Sequence, residues 1–156
     1  MLKKASRQIK NATRYSLAGF KFLIRSELAA RMELYTYALA VALYFYLGAD
    51  WVHFIIGGAL LFLILAVEAI NTAIEVIIDR ISPEISETGK RAKDLGSFAV
   101  MCLIFINGIH LCYVLAVTLV PEKGIAVLAG VVIGFFYLAA LYTKLQAHVP
   151  REQPEI

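Results

Sequence analysis

Charge is scarce in this 156-residue chain. Lysine, arginine, aspartate and glutamate make up 17% of it, against about 25% in an ordinary soluble domain. Hydrophobic residues make up 60% and the mean hydropathy is +0.73, so the length predicts one domain and the composition predicts lipid as its solvent. Cysteine is scarcer still. Cys102 and Cys112 lack CxxC spacing and no histidine pair completes a set of four ligands, which excludes a zinc module and leaves both as packing residues in an apolar run. Neither a Walker-A loop nor the glycine-rich loop of protein kinases occurs, so any nucleotide site is of another type. Internal repeats and low-complexity segments are absent, and a net charge of only +3 gives no ground to expect a nucleic-acid partner. About thirty residues separate the basic start from the first apolar run without a small-residue cleavage site, so a cleaved signal peptide is not expected.

The charge that is present is placed unevenly. At about 100° per residue, Lys3, Arg7, Lys10, Arg14, Lys21 and Arg25 fall within roughly 60° of one another, while Leu2, Ile9, Phe20 and Ile24 take the opposite side. The pattern predicts an amphipathic helix lying on an anionic membrane surface, loosened midway by Gly19.

Four apolar runs follow. The first, "LYTYALAVALYFYLG" (34–48), becomes long enough to cross when extended back through Met32, and its tyrosines cluster at both ends as an aromatic belt would place them. "GADW" (48–51) predicts a tight turn into a second helix over 51–79, about 43 Å long at 1.5 Å per residue. Hydrocarbon is about 30 Å thick, so the polar end of that helix projects. The third run, 95–120, and the fourth, 125–142, are joined by "PEKG" (121–124). The expected architecture is therefore an all-α membrane protein with a surface helix, three spans and an extra fourth. Its divisions are 1–120, an additional helix over 121–146 and a cytoplasmic tail over 147–156. The N-terminal helix, the loop over 80–93 and the tail carry most of the lysine and arginine, which predicts that this side faces the cytoplasm.

The second helix ends in "EAINTAIEVIIDR" (68–80). Relative to Glu68, Asn71 falls at about −60°, Glu75 at about −20° and Asp79 at about +20°, so all four share one stripe with Thr72 at its edge. Carboxylates are not tolerated unpaired against lipid, so the stripe faces inward and marks a site. Oxygen ligands suit Mg²⁺, which takes one or two carboxylates together with substrate phosphates. Glu27 stands on the same side of the membrane and can meet Glu75, while Arg91 and Lys93 in "GKRAKDLGS" (89–97) can meet phosphates. A transporter coupled to ions or protons would also use intramembrane carboxylates, though it favours midplane sites between repeated halves. A purely structural membrane subunit is the third reading, with Glu75, Asp79, Arg80, Arg91 and Lys93 as a solvated cap, but it does not explain Glu68. Asn107 and His110, three apart on the third span, read as interhelical hydrogen-bonding groups.

"EAINTAIEVIIDR" followed ten residues later by "RAKDLGS", with "SELAARME" (26–33) and "RYSLAGFK" (14–21) before them, resembles the small integral-membrane diacylglycerol kinases of bacteria over roughly residues 8–120. The resemblance implies an ATP- and Mg²⁺-dependent lipid kinase of the bacterial inner membrane, multi-pass and with its active site facing the cytoplasm. It implies a homotrimer with shared active sites, phosphorylating the primary hydroxyl of diacylglycerol to phosphatidic acid in phospholipid recycling. On that likeness Glu68 is the general base, and Glu27 and Glu75 hold the metal. Tyr15, Ser16, Asn71, Glu75, Glu84, Ser86, Lys93 and Asp94 surround the nucleotide, and Glu33, Glu68 and Ser97 meet the lipid. Departures are Gln8 where relatives usually have arginine, with Arg7 next door, Ser86 where a histidine is common, and the fourth span. Undecaprenol kinases of the same family typically read "NxRIH" where this chain has "AARME", so Glu33 favours diacylglycerol over undecaprenol.

Overall fold

A glutamate alone separates the first two helices. α1 (Leu2–Ser26) ends and α2 (Leu28–Leu47) begins on either side of Glu27, whose backbone is extended at φ −100° and ψ 119°. Ser26 Oγ donates back to Phe22 O at 3.0 Å, a local bond that competes with continuing the helix. Arg31 then closes the corner by donating from one guanidinium nitrogen to Ile24 O and Arg25 O, both at 3.1 Å. Those are carbonyls of the last turn of α1, which lack helical partners and attract a cation.

The computed structural model describes residues 2–82, 86–124, 126, 128–134 and 136–137. Its order is α1, α2, α3 (Trp51–Ile81) and α4 (Glu87–Leu119), with no strand among the described residues. The chain divides into two compact units, Met1–His110 and Leu111–Ile156.

In the first unit, Gly48 ends α2 in the left-handed region at φ 67° and Ala49 N–H donates to Tyr44 O at 3.0 Å. Such a cap favours glycine because a Cβ is strained there. Asp50 then starts α3 by accepting from Val52 N–H at 3.0 Å, so the expected turn forms with a cap on each side. Leu23, Ala30, Leu61, Ile64, Leu65 and Leu103, drawn from all four helices, make the core. Among lipid tails such packing rests on close contact more than on excluding water, so small residues matter. Gly57 is one: an added Cβ would stand 3.3 Å from Tyr37 and 3.6 Å from His110.

α3 and α4 are both long and apolar enough to cross a membrane, and the chain is an all-α membrane protein. α1 runs unbroken through Gly19, and Ile9, Leu17, Phe20 and Phe22 on it are exposed. Only its C-terminal end, at Leu23 and Ile24, reaches the core; the rest of its apolar face is left open, which suits a helix resting on lipid. In the second unit, Pro121 to Lys123 form the turn and helix resumes, with 128–134 helical. A Cβ on Gly124 would stand 2.9 Å from the Ala116 backbone, so only glycine allows so close a return.

Three expectations need correction. "GKRAKDLGS" is not a loop: α4 already includes it, starting at Glu87 and not near residue 95. Ser86 Oγ accepts from Gly89 N–H at 3.1 Å and Glu87 pairs with Arg91 one turn on, which together start the helix early. The tyrosine belt is only half realised, because Tyr35 and Tyr46 are open while Tyr44 is buried and Tyr37 donates to Phe54 O. Asn107 donates to Leu103 O of its own helix at 2.9 Å and so does not bridge helices, and both cysteines are half-buried.

Candidate functional site

The buried residues of α3 are Gly57, Leu61, Ile64, Leu65, Glu68, Asn71 and Thr72, which recur every three or four residues, with adjacent pairs at 64/65 and 71/72. The face that packs the core thus continues without a break into the polar stripe. Glu68 is only 4% exposed. Its like-charged neighbours are Glu27 at the α1–α2 corner, Glu75 one turn below the buried stretch, and Glu33 on α2. No salt bridge reaches Glu68 or Glu27 among the described residues, where the ion pairs are Arg91–Glu87 and Lys93–Asp79. A buried carboxylate facing three others without a cation is an unbalanced electrostatic arrangement.

Asn71 Nδ2 donates to Glu75 Oε1 at 2.9 Å, which fixes one carboxylate oxygen and turns the Asn71 carbonyl toward α4. Thr72 Oγ1 donates to Glu68 O at 2.9 Å, binding the helix to itself. Among the described residues no three histidine, cysteine, aspartate or glutamate groups are disposed to hold a metal ion by themselves. A hard cation that keeps waters and takes substrate phosphates needs only one or two protein carboxylates, a number that Glu27 and Glu75 could supply.

Two apolar grooves flank the stripe. One, of about 390 Å³, runs between α1 and α3 past Phe22, Leu23, Thr72 and Val76. The other, of about 370 Å³, runs between α3 and α4 past Ile70, Asn71, Ile74 and Gly96.

The remaining nominated residues divide. Lys93 is half-exposed and paired with exposed Asp79. Ser86 caps α4. Tyr15 and Ser16 stand exposed on α1, where the Arg14 guanidinium lies 5.3 Å from the Tyr15 ring centroid. Asp94 and Ser97 are exposed on α4, and neither pair is bonded to the carboxylates among the described residues. Glu84 lies outside the described residues. Sequence reading missed Arg31, which closes the corner that carries Glu27, and Gly96, against which Asn71 packs. The signal for Arg31 was present, a guanidinium one turn into a helix that follows another helix end. Nothing local marks Gly96.

Residues 14–115 match the sequence profile of the family described as prokaryotic diacylglycerol kinase. The chain is 52% identical over 103 residues to a diacylglycerol kinase of Sinorhizobium, covering 66% of this chain and 74% of that one. It is 37% identical over 99 residues to the Haemophilus influenzae diacylglycerol kinase, covering 64% and 84%. With the Escherichia coli diacylglycerol kinase the identity is 35% over 108 residues, covering 69% and 88%. The matched segment holds every nominated residue and ends before the turn at Pro121.

Proposed function

The chain belongs to the prokaryotic diacylglycerol kinase family, and from that premise we propose that it transfers the γ-phosphoryl group of ATP to the primary hydroxyl of diacylglycerol, giving phosphatidic acid and ADP. The observation that carries the reading is Glu68: a buried carboxylate, with no cation paired to it among the described residues, grouped with Glu27, Glu33 and Glu75.

The residues act as follows. Glu68 accepts the proton of the lipid hydroxyl as its oxygen attacks the γ-phosphorus and the bond to the ADP oxygen breaks. Glu27 and Glu75 would hold Mg²⁺, with Asn71 already orienting Glu75 from behind. When bound, Mg²⁺ would supply charge neutralisation to the phosphates. Lys93 exchanges Asp79 for a phosphate oxygen, a swap that its half-exposed position favours. Tyr15, Ser16, Glu84, Ser86 and Asp94 line the nucleotide, Ser86 accepting the Gly89 N–H while keeping its own hydrogen to donate. Glu33 and Ser97 meet the lipid headgroup, and the apolar groove between α1 and α3 suits an acyl chain.

The exposure of Tyr15, Ser16, Asp94 and Ser97 on the single chain supports a homotrimer whose sites are completed across subunits. The basic excess at the carboxylate end supports a multi-pass protein of the inner membrane with its site toward the cytoplasm. On this reading α2, at 20 residues, serves as a third span beside α3 and α4; the expected fourth, over 121–146, lies partly outside the described residues. The test is to supply labelled ATP and Mg²⁺ with dioleoylglycerol or undecaprenol in mixed micelles. Label is expected in the diacylglycerol product. Label in undecaprenol alone would reassign the substrate, and label in neither would end the kinase reading.

A further inference from the structure

We propose that Gly96 of α4 is a positioning residue for the cation site: by leaving room for the Asn71 carboxamide, it aims that amide at Glu75. The inference rests on the reading of Glu75 as a cation ligand. A Cβ built on Gly96 would stand 1.9 Å from Asn71 Oδ1 and 3.0 Å from its Cγ, so no side chain fits while Asn71 keeps its conformation. Oδ1 is buried and accepts no hydrogen bond among the described residues; it lies against the α4 backbone at a place that glycine alone leaves open.

The other end of the amide is engaged, with Nδ2 donating to Glu75 Oε1 at 2.9 Å. Turning the amide over would set its oxygen against the Glu75 carboxylate, acceptor against acceptor, so the orientation has one sense. Asn71 is 9% exposed, and a side chain at Gly96 must either push the carboxamide off Oε1 or push α4 away. The glycine thus acts on Glu75 through Asn71. Gly89 and Gly108 on the same helix differ: a Cβ on Gly89 would meet Ser86 and Ile78, and one on Gly108 would meet nothing within 4 Å.

Hydrogen bonds behind a metal ligand hold its orientation, and their loss costs about 10–100-fold in metal affinity. The experiment measures Mn²⁺ binding to the full-length protein in detergent micelles with a non-hydrolysable ATP analogue, reading free Mn²⁺ by electron paramagnetic resonance. Gly96→Ala is expected to weaken binding about tenfold, and Gly108→Ala to leave it unchanged. Asn71→Ala weakens it similarly, and adding Gly96→Ala to Asn71→Ala changes nothing further, because the path through the amide is already cut. Wild-type affinity in Gly96→Ala, or additive losses in the double variant, would overturn the proposal. If Gly96→Ala alone does not fold, the double variant decides: the added Cβ then meets Asn71 Cβ at an ordinary 3.6 Å, so folding returns. A double variant that also fails to fold would overturn the proposal as well. A wild-type protein that binds no Mn²⁺ would remove the cation reading itself, and the proposal with it.

Discussion

The two ends of α3 stand among different polar groups. Toward the turn at Gly48 these are phenols of α2 and imidazoles of α3 and α4, and they reach across helices: Tyr37 Oη donates to Phe54 O at 3.3 Å, and Tyr44 Oη lies 3.5 Å from His110 Nδ1. Tyr44 also stands edge-on to Phe54 with ring centroids 5.5 Å apart, and His53 and His110 are 6.0 Å apart. Toward Ile81 the stripe carries Glu68, Asn71, Thr72 and Glu75, and there Glu68 is left among like charges without a cation. The first half uses polarity to join helices. The second retains an arrangement that burial makes costly, which the proposed reaction, with a cation to receive and a proton to move, would explain.

This division can be broken at either end. The largest effect is expected from chelation: EDTA should abolish phosphate transfer, Mg²⁺ should restore it, and melting in micelles should stay nearly constant. Turnover that survives chelation would deny the carboxylates their cation. Arg31→Ala comes next, removing two bonds from a guanidinium to the end of α1. It should lower stability by about 2 kcal/mol in denaturant titrations and raise the Mg²⁺ half-saturation, because Glu27 sits at that corner. Asp50→Ala, at the opposite end, loses a helix cap worth about 1 kcal/mol and should leave turnover per folded protein unaltered. Tyr44→Phe should cost least, about 0.5–1 kcal/mol, again without loss of turnover. A Tyr44→Phe protein that is fully folded yet slow would dissolve the distinction between the halves.

Much of the site was legible before the structure. A period of 3.6 brought Glu68, Asn71 and Glu75 to one face, on which Glu68 and Asn71 are buried and Glu75 is half-buried. Gly48 and Asp50 announced a turn through chemistry that acts within four residues. What escaped depended on distant contacts or on competing local signals. The polar residues before the apolar run at 95 read as a loop, but they are helical, and the two glycines of "GKRAKDLGS" each face a neighbour on close approach, Ile78 at Gly89 and Asn71 at Gly96. Tyr37 and Tyr44 resembled belt residues because an aromatic near a span end can face lipid or core, and only packing against Phe54 and His110 decides between them. Asp79 shares the stripe but reaches its exposed end, where Lys93 takes it.

The account stands most directly on the rate of phosphate transfer from ATP to diacylglycerol by Glu68→Gln, measured beside the wild type in the same mixed micelles. The predicted result is a fall of about 10²–10⁴ in turnover, with stability equal to or above wild type because one buried charge is gone. Full turnover in Glu68→Gln would contradict the account, since the buried acid would then be no part of the reaction.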